Sequence, residues 1–596
     1  MKGFSTSRLL SAPYCRLAAT LRAPGNNISP HTVNTRQVSS PRGLSHPRET
    51  VPPALAREEL IAGRLRVSKV LPYQRARTPF LSNVSLALSS GLLLVFAFPD
   101  WNLWSLAWVG TAPLIMAVVR EQRFWRSLLL GTLTGTVFFA GTSHWVTYSM
   151  HNYGGIPLWL CFIIVILLAG VLALFTGLFA GTISWATARL GGWAMLAAPL
   201  AWPASEWLRL QVTGMGWNAL GYSQAFQPAI IQISRLGGVY AVSALLVSAS
   251  SALVFALVYL EKRRGVIVLT AAGVLALAAV VYGQSLRPPA GEAGSVWAAV
   301  VQPDLPIAGD WDDPGYVDSM IERHMTLAAQ LLHPDATRSA SSEPKATLVI
   351  WPESPMPMEY DRNPDLRARL ADFARSKDVY LLFNSWGYPA ESAITNSAIV
   401  IGPSGDKIAE YDKIALLPYG EYVPGSRWVP FMDRVHAIVA DLTPGTALTL
   451  SDVAGARLGA FICFEASRPE IARRMRLGGA SELVQISNEA WFGPTAAARQ
   501  MLAHAIFRAV ENNADLIRAT NSGQSASISR YGEVDGLTPM FEEAVRLWPM
   551  KTVAEASRDH LTFYTRHGDL FAIACVAGSL IVAGAGLAPL KRKEND

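Results

Sequence analysis

Hydrophobic positions along this chain follow two different patterns. Between residues 79 and 285 the apolar runs are long enough to cross a bilayer. They predict spans at roughly 80–98, 104–120, 128–147, 157–186, 192–210, 238–260 and 265–284, with an eighth near 569–590. The second and fifth are short or interrupted by Pro113, Pro199 and Pro203. From about residue 290 the runs shorten and alternate with segments of helical period. Strands are predicted at Val296–Val301, Thr347–Trp351, Val379–Phe383, Ser397–Ile401, Arg457–Cys463, Leu483–Ser487, Leu516–Thr520 and Ala526–Arg530. Helices are predicted near 315–333, 365–376, 468–477 and 496–512, which argues for a layered α/β fold with a largely buried sheet.

Composition sharpens this division. Of 596 residues, 51% are hydrophobic and only 16% charged, too apolar for one soluble protein. The net charge of +6 is not gathered into an aromatic-interleaved patch, which argues against a nucleic-acid partner. Instead Arg120, Arg123, Arg126, Arg189, Lys262–Arg264 and Lys591–Lys593 follow the second, fourth, sixth and eighth spans. All then fall on the side shared with the basic N-terminal stretch, and the positive-inside rule makes that side cytoplasmic. Five regions result: a basic extension (1–78), seven spans (79–287), an outward-facing block (288–567), an eighth span (568–590) and a cytoplasmic tail (591–596). The extension is rich in Arg, Ser and Pro. It reads as a disordered cytoplasmic tail, with a transit peptide or an early start codon as the alternatives.

The four cysteines are far apart and show no C-x-x-C spacing, so neither a disulfide framework nor a zinc site is expected. Cys161 and Cys575 lie within apolar runs as small hydrophobes. Cys463 differs: it closes an apolar strand and is followed by Phe464 and Glu465. A second strand ends at Glu353, in Trp351-Pro352-Glu353-Ser354, and Lys413 precedes the Gly/Pro/aromatic stretch Leu417–Pro424. Carboxylate, ammonium and thiol are the parts of an acyl-transfer site. In this reading Glu353 takes the thiol proton, Lys413 holds the developing oxyanion, and the Phe464 N–H is a second donor. Glu421 either orients Lys413 or joins the acid–base machinery. Ser487–Gly493, with Asn488 and Trp491, and also Trp311 supply a pocket wall or simply core packing.

These residues resemble the nitrilase (carbon–nitrogen hydrolase) superfamily, whose Glu-Lys-Cys triad falls on Glu353, Lys413 and Cys463. The chain from about 85 to 590 is similar to the integral-membrane branch of that superfamily, the apolipoprotein N-acyltransferases. Further matching stretches are Trp145–Ser149, Gly214–Trp217, Gly221–Gln224 and Thr520–Gly523. The resemblance implies an αββα domain beside a bundle of about eight membrane helices, in a bacterial inner membrane, with the catalytic block periplasmic. It also implies a monomer that uses no cofactor or metal. The implied partners are a phospholipid acyl donor and a diacylglyceryl-modified apolipoprotein acceptor, joined by ping-pong chemistry through a Cys463 thioester. Glu421, Glu465 and Trp311 are implied to support activity. The chain departs from the family pattern at Phe464 (often Tyr), Met501 (often His) and Glu489 (usually Asp). A membrane-tethered amidase and a binding protein with an inactive domain are the alternative readings.

Overall fold

The computed structural model describes residues 80–258, 262–286, 294–310, 313–332, 347–354, 358–390, 393–422, 441–556 and 560–587. The N-terminal extension, the tail 591–596 and Trp311 lie outside the described residues.

Four described helices are long and apolar enough to span a membrane: Phe80–Ala97, Leu158–Leu190, Ser234–Val258 and Arg263–Ser285. Beside them pack Phe124–Thr142, Ala198–Thr213 and the shorter apolar helix Leu570–Ala585. Ile166, Leu167, Val171 and Leu174 on the longest helix are exposed in the bare protein, an apolar face suited to lipid. The stretch expected as one span at 104–120 is broken. A 3-10 turn, Trp104–Leu106, leads into Ala107–Gly110 and then Ala112–Glu121. Pro113 sits in the first turn of that last piece, where its missing N–H does no harm. The 192–210 stretch likewise opens as a 3-10 turn, Gly192–Ala197, before becoming helical. The helix Ser234–Val258 is interrupted at Gly237 and Gly238, the latter at φ +64° and ψ −167°. That conformation favours glycine.

The second half forms two six-stranded sheets. The first has the order β12-β1-β2-β3-β4-β5, from β1 (Val296–Gln302), β2 (Leu348–Ile350), β3 (Tyr380–Ala390), β4 (Ala393–Ile401), β5 (Lys407–Asp412) and β12 (Ala544–Met550). The second has the order β11-β10-β9-β8-β7-β6, from β6 (Ser451–Val453), β7 (Ala456–Ile462), β8 (Glu482–Ser487), β9 (Leu516–Thr520), β10 (Ala526–Ile528) and β11 (Val534–Asp535). Alternation along the strands sorts the side chains into layers. Ala299, Val301 and Val349 join an outer core under the helices Pro314–Leu332 and Pro364–Lys377. Ala298, Val300 and Ile350 face inward and share a core with Leu458, Ala460 and Ile486 of the second sheet. The helices Pro469–Leu477 and Ala497–Asn512 cover the far side, giving αββα layering. The inner core continues without a gap into the bundle, through Trp217, Tyr222, Val239 and Leu246. One apolar phase therefore joins the membrane and layered parts.

Close helix approach in the bundle depends on small residues. A Cβ added at Gly131 would lie 2.5 Å from Ala180 Cβ and from the Thr176 carbonyl oxygen, whereas one at Gly170 would meet nothing within 4 Å. Gly131→Leu is expected to cost about 1–3 kcal/mol and to lower the thermal midpoint in detergent, while Gly170→Leu leaves it unchanged. Equal midpoints for the two variants would refute this packing.

Candidate active site

Strand direction brings the three sequence-predicted side chains to one place. Within each sheet the strands that precede them leave by the same edge: β2 and β5 in the first, β7 and β8 in the second. Glu353 follows β2, Lys413 follows β5 and Cys463 follows β7. Reactive groups just past the carboxyl ends of strands are held by the sheet itself, which makes them rigid.

Cys463 sits at φ +51° and opens the 3-10 turn Cys463–Ser467. A non-glycine residue in the left-handed region is strained and persists only where its surroundings hold it. The hold here is Glu465. Its Oε1 accepts the Tyr411 hydroxyl at 2.8 Å and the N–H groups of Ile414 and Ala415 at 2.8 and 3.0 Å. Its Oε2 accepts the Ile462 N–H at 2.8 Å. One buried carboxyl group thus clamps the Cys463 turn to the segment that carries Lys413. Behind the turn, Gln485 Nε2 donates to the Cys463 carbonyl at 3.0 Å, and Arg518 Nη1 donates to Gln485 Oε1 at 2.6 Å. Arg518 also pairs with Glu489, which accepts the Ser487 hydroxyl. Glu489 therefore serves this buried network beneath the turn.

The Cys463 thiol and the Glu353 carboxyl are close enough for each to shift the other's ionisation. Lys413 Nζ lies 2.8 Å from Glu421 Oε1 and 3.5 Å from Glu353 Oε1. Asn396 Nδ2 bridges the two carboxylates, at 2.9 Å from Glu353 and 2.8 Å from Glu421. The Asn488 N–H completes the cradle, donating to Glu353 Oε2 at 3.1 Å. Glu421 Oε2 accepts the Leu417 N–H at 2.7 Å, which holds the loop beyond Lys413.

Burial is nearly complete and dominates the electrostatics. Desolvation pushes the Glu353 carboxyl above its usual range, against the pull of the Lys413 ammonium. The Cys463 thiol is raised by burial and then by the Glu353 charge, with Lys413 opposing both. Burial works to lower Lys413, but the carboxylates of Glu421 and Glu353 outweigh it and hold the lysine above its ordinary value. The resting site therefore favours a neutral thiol and a cationic Lys413, with the Glu353 carboxyl beside them. It can take a proton from sulfur when an acyl carbon arrives, and it offers a cation to the resulting oxyanion.

The remaining expectations divide. Asn488 touches Glu353 through its backbone and accepts from Asn521 Nδ2 at 3.2 Å. Phe464 is buried, with its ring parallel to Trp217 of the bundle (interplanar angle 7°, centroids 6.3 Å apart). Trp491 is 43% exposed. Its ring meets Tyr153 edge-on, and its carbonyl accepts Ser149 Oγ at 2.6 Å, so it belongs to the seam with the bundle. Met501 is buried in the common core. Asn396, Gln485 and Arg518 were not singled out in the sequence, where each is one of several polar residues within a strand. Among the described residues no group of His, Cys, Asp and Glu is arranged to hold a metal ion.

Comparison with known proteins gives this geometry a context. Residues 90–253 match the apolipoprotein N-acyltransferase N-terminal domain model, and residues 298–552 match the carbon-nitrogen hydrolase model. An apolipoprotein N-acyltransferase from Geobacter metallireducens is 32% identical over 531 residues, covering 86% of this chain and 98% of the relative. The chain belongs to the apolipoprotein N-acyltransferase family. A family member from Bordetella bronchiseptica is 30% identical over 82% of this chain and 93% of its own length. Among solved structures, a nitrilase-superfamily amidase from Nesterenkonia covers 45% of this chain and 95% of its own at 18% identity, with a TM-score of 0.33. Membership in the apolipoprotein N-acyltransferase family makes this chain an acyltransferase built on a carbon–nitrogen hydrolase domain.

Two outcomes follow from the site. Glu353→Gln removes the negative charge beside sulfur, so the thiol titrates at lower pH and iodoacetamide alkylates Cys463 faster at pH 7 than in the unaltered protein. Slower alkylation would show that Glu353 activates the thiol already at rest. Glu465→Gln replaces one acceptor oxygen by an NH2 donor facing buried donors and should cost about 1–3 kcal/mol, read as a lower thermal midpoint. An unchanged midpoint would remove Glu465 as the clamp.

Proposed function

We propose that this chain moves an acyl group from a membrane phospholipid to the α-amine of a diacylglyceryl-cysteine at a lipoprotein N-terminus, through a thioester on Cys463. The observation that carries the reading is the Glu353–Lys413 pair gathered beside the left-handed Cys463, on a turn packed against a bundle loop. Both substrates carry acyl chains that water does not hold in solution, so a site joined to a membrane bundle suits them.

Cys463 Sγ attacks the ester carbonyl while Glu353 accepts the thiol proton. The tetrahedral oxyanion is met by the Lys413 ammonium and the Phe464 N–H. Collapse breaks the bond to the glyceryl oxygen, which takes the proton from Glu353 and leaves as a lysophospholipid. The lipoprotein amine, arriving as the free base, then attacks the thioester. Glu353 accepts a proton from nitrogen, the second oxyanion collapses, and the departing sulfur recovers that proton. Glu421 keeps Lys413 charged and in place throughout. The basic residues between spans favour an inner-membrane orientation with the catalytic block on the periplasmic side.

The test is incubation with a phospholipid labelled in its acyl chain, followed by peptide mapping. The label is expected on the peptide containing Cys463, lost in Cys463→Ala, and discharged by a diacylglyceryl-cysteine peptide. Label persisting in Cys463→Ala would overturn the reading, as would ammonia release from small amides with no label on Cys463.

A further inference from the structure

The helix Ala497–Asn512 carries a polar stripe that water never reaches. Gln500, His504, Arg508 and Glu511 recur at helical spacing on one face, and all four are buried. The face they present is packed against the membrane bundle. Gln500 accepts the Trp217 indole N–H at 2.7 Å and donates to the carbonyls of Pro99 and Thr142 at 3.1 and 2.9 Å. His504 lies against the rings of Trp217 and Tyr222.

Arg508 joins two parts of the molecule. Its Nη1 donates to the Ala466 carbonyl at 3.2 Å, inside the turn that Cys463 opens. Its Nη2 donates to the Tyr222 hydroxyl of the bundle at 3.1 Å and lies 2.8 Å from Glu511 Oε2. Glu511 Oε1 accepts the Val239 N–H at 2.9 Å. That N–H directly follows the interruption at Gly237 and Gly238 in the Ser234–Val258 helix. Tyr564 packs over Gly238 and Phe571 over Gly237, so the break is enclosed on its other side. Contacts therefore run without interruption from a bundle helix through Glu511 and Arg508 to the nucleophile's turn.

We propose that Arg508 and Glu511 are positioning residues: they tie the Cys463 turn to the break in the Ser234–Val258 helix, so the bundle helps set the nucleophile's backbone. This rests on the reading of Cys463 as nucleophile. The leading end of the turn is fixed within its own domain, by Glu465 on Ile462 and Gln485 on the Cys463 carbonyl. The trailing end is fixed by Arg508 on Ala466 and by Gly216, whose absent Cβ would lie 2.6 Å from the Ser467 carbonyl oxygen. A left-handed cysteine needs both ends held. Arg508 can serve only while its charge is matched, because an unpaired guanidinium at full burial is strongly unfavourable. Glu511 supplies the match and is itself anchored to the bundle.

The experiment compares the unaltered full-length protein with Glu511→Gln and Tyr222→Phe in detergent micelles containing phosphatidylethanolamine. It measures single-turnover acylation of Cys463, the pH profile of iodoacetamide alkylation, and the thermal midpoint. Glu511→Gln is isosteric and still accepts the Val239 N–H, but it leaves Arg508 without its counter-charge. It should slow acylation about tenfold or more, and it should shift the alkylation profile because the sulfur moves relative to Glu353 and Lys413. Tyr222→Phe removes one hydroxyl and no charge, and should slow acylation about threefold. A merely structural role would lower the midpoint and leave rate and profile per folded molecule unchanged, which would overturn the proposal. If Glu511→Gln fails to fold, Tyr222→Phe decides alone, and an unaltered rate and profile in it overturn the proposal. If the unaltered protein is never acylated on Cys463, the functional reading fails instead, and the two failures are distinguishable.

Discussion

The ammonium of Lys413 is the charge on which the site depends. Taking a lysine wholly out of water costs several kcal/mol, and that cost is offset only by close, well-oriented counter-charges. Two are present at unequal distances, Glu421 at 2.8 Å and Glu353 at 3.5 Å. The inequality divides the labour. The nearer carboxylate is taken up by the cation and the Leu417 N–H, while the farther one also receives the Asn488 N–H. Asn396 donates to both and so keeps two anions side by side that would otherwise repel. Burial first, and the neighbouring Glu353 next, hold the Cys463 thiol towards its protonated form, with Lys413 opposing both.

Glu465 solves a different problem with the same residue type. Its four hydrogen bonds join two sheets, since Tyr411 lies on β5 and Ile462 on β7. Lys413 and Cys463 are separated by a long stretch of chain, yet their backbones meet on one carboxylate. Hydrogen bonds to a charged acceptor are among the stronger ones available in a protein interior. The relative placement of Lys413 and Cys463 is therefore fixed more firmly than core packing alone would fix it. Arg508 adds a third fixed point, on the bundle side of the turn.

Much of this was legible in the sequence because apolar runs report burial directly. Every strand predicted from such a run exists, most to within a few residues at both ends, although the predicted Val379–Phe383 strand runs on to Ala390. The strands that escaped are those whose environment is not apolar throughout. Lys407–Asp412 carries three charged residues, Ala544–Met550 is an edge strand containing Pro549, and Val534–Asp535 and Ser451–Val453 are too short to show a period. Glu353 and Cys463 stood out because each stands where an apolar stretch stops, and Lys413 because it precedes the Gly/Pro/aromatic stretch Leu417–Pro424. Asn396 did not. Its role comes from cross-strand register: Ser397 pairs with Asp412, which places Asn396 beside Lys413, and a lone sequence does not display pairing. Arg508 and Glu511 were hidden for a related reason. A polar stripe on a helix normally marks a solvated face, and only the position of the bundle shows that this one is buried.

The departure at Phe464 follows the same logic of the seam. Its ring lies parallel to Trp217, and Trp217 in turn gives its indole N–H to Gln500. A hydroxyl added to the Phe464 ring would need a polar partner in this buried place, whereas a plain phenyl needs none. The residue after Cys463 thus spends its side chain on the bundle, and the Cys463 turn is joined to the bundle by that ring as well as by Arg508 and the close approach of Gly216.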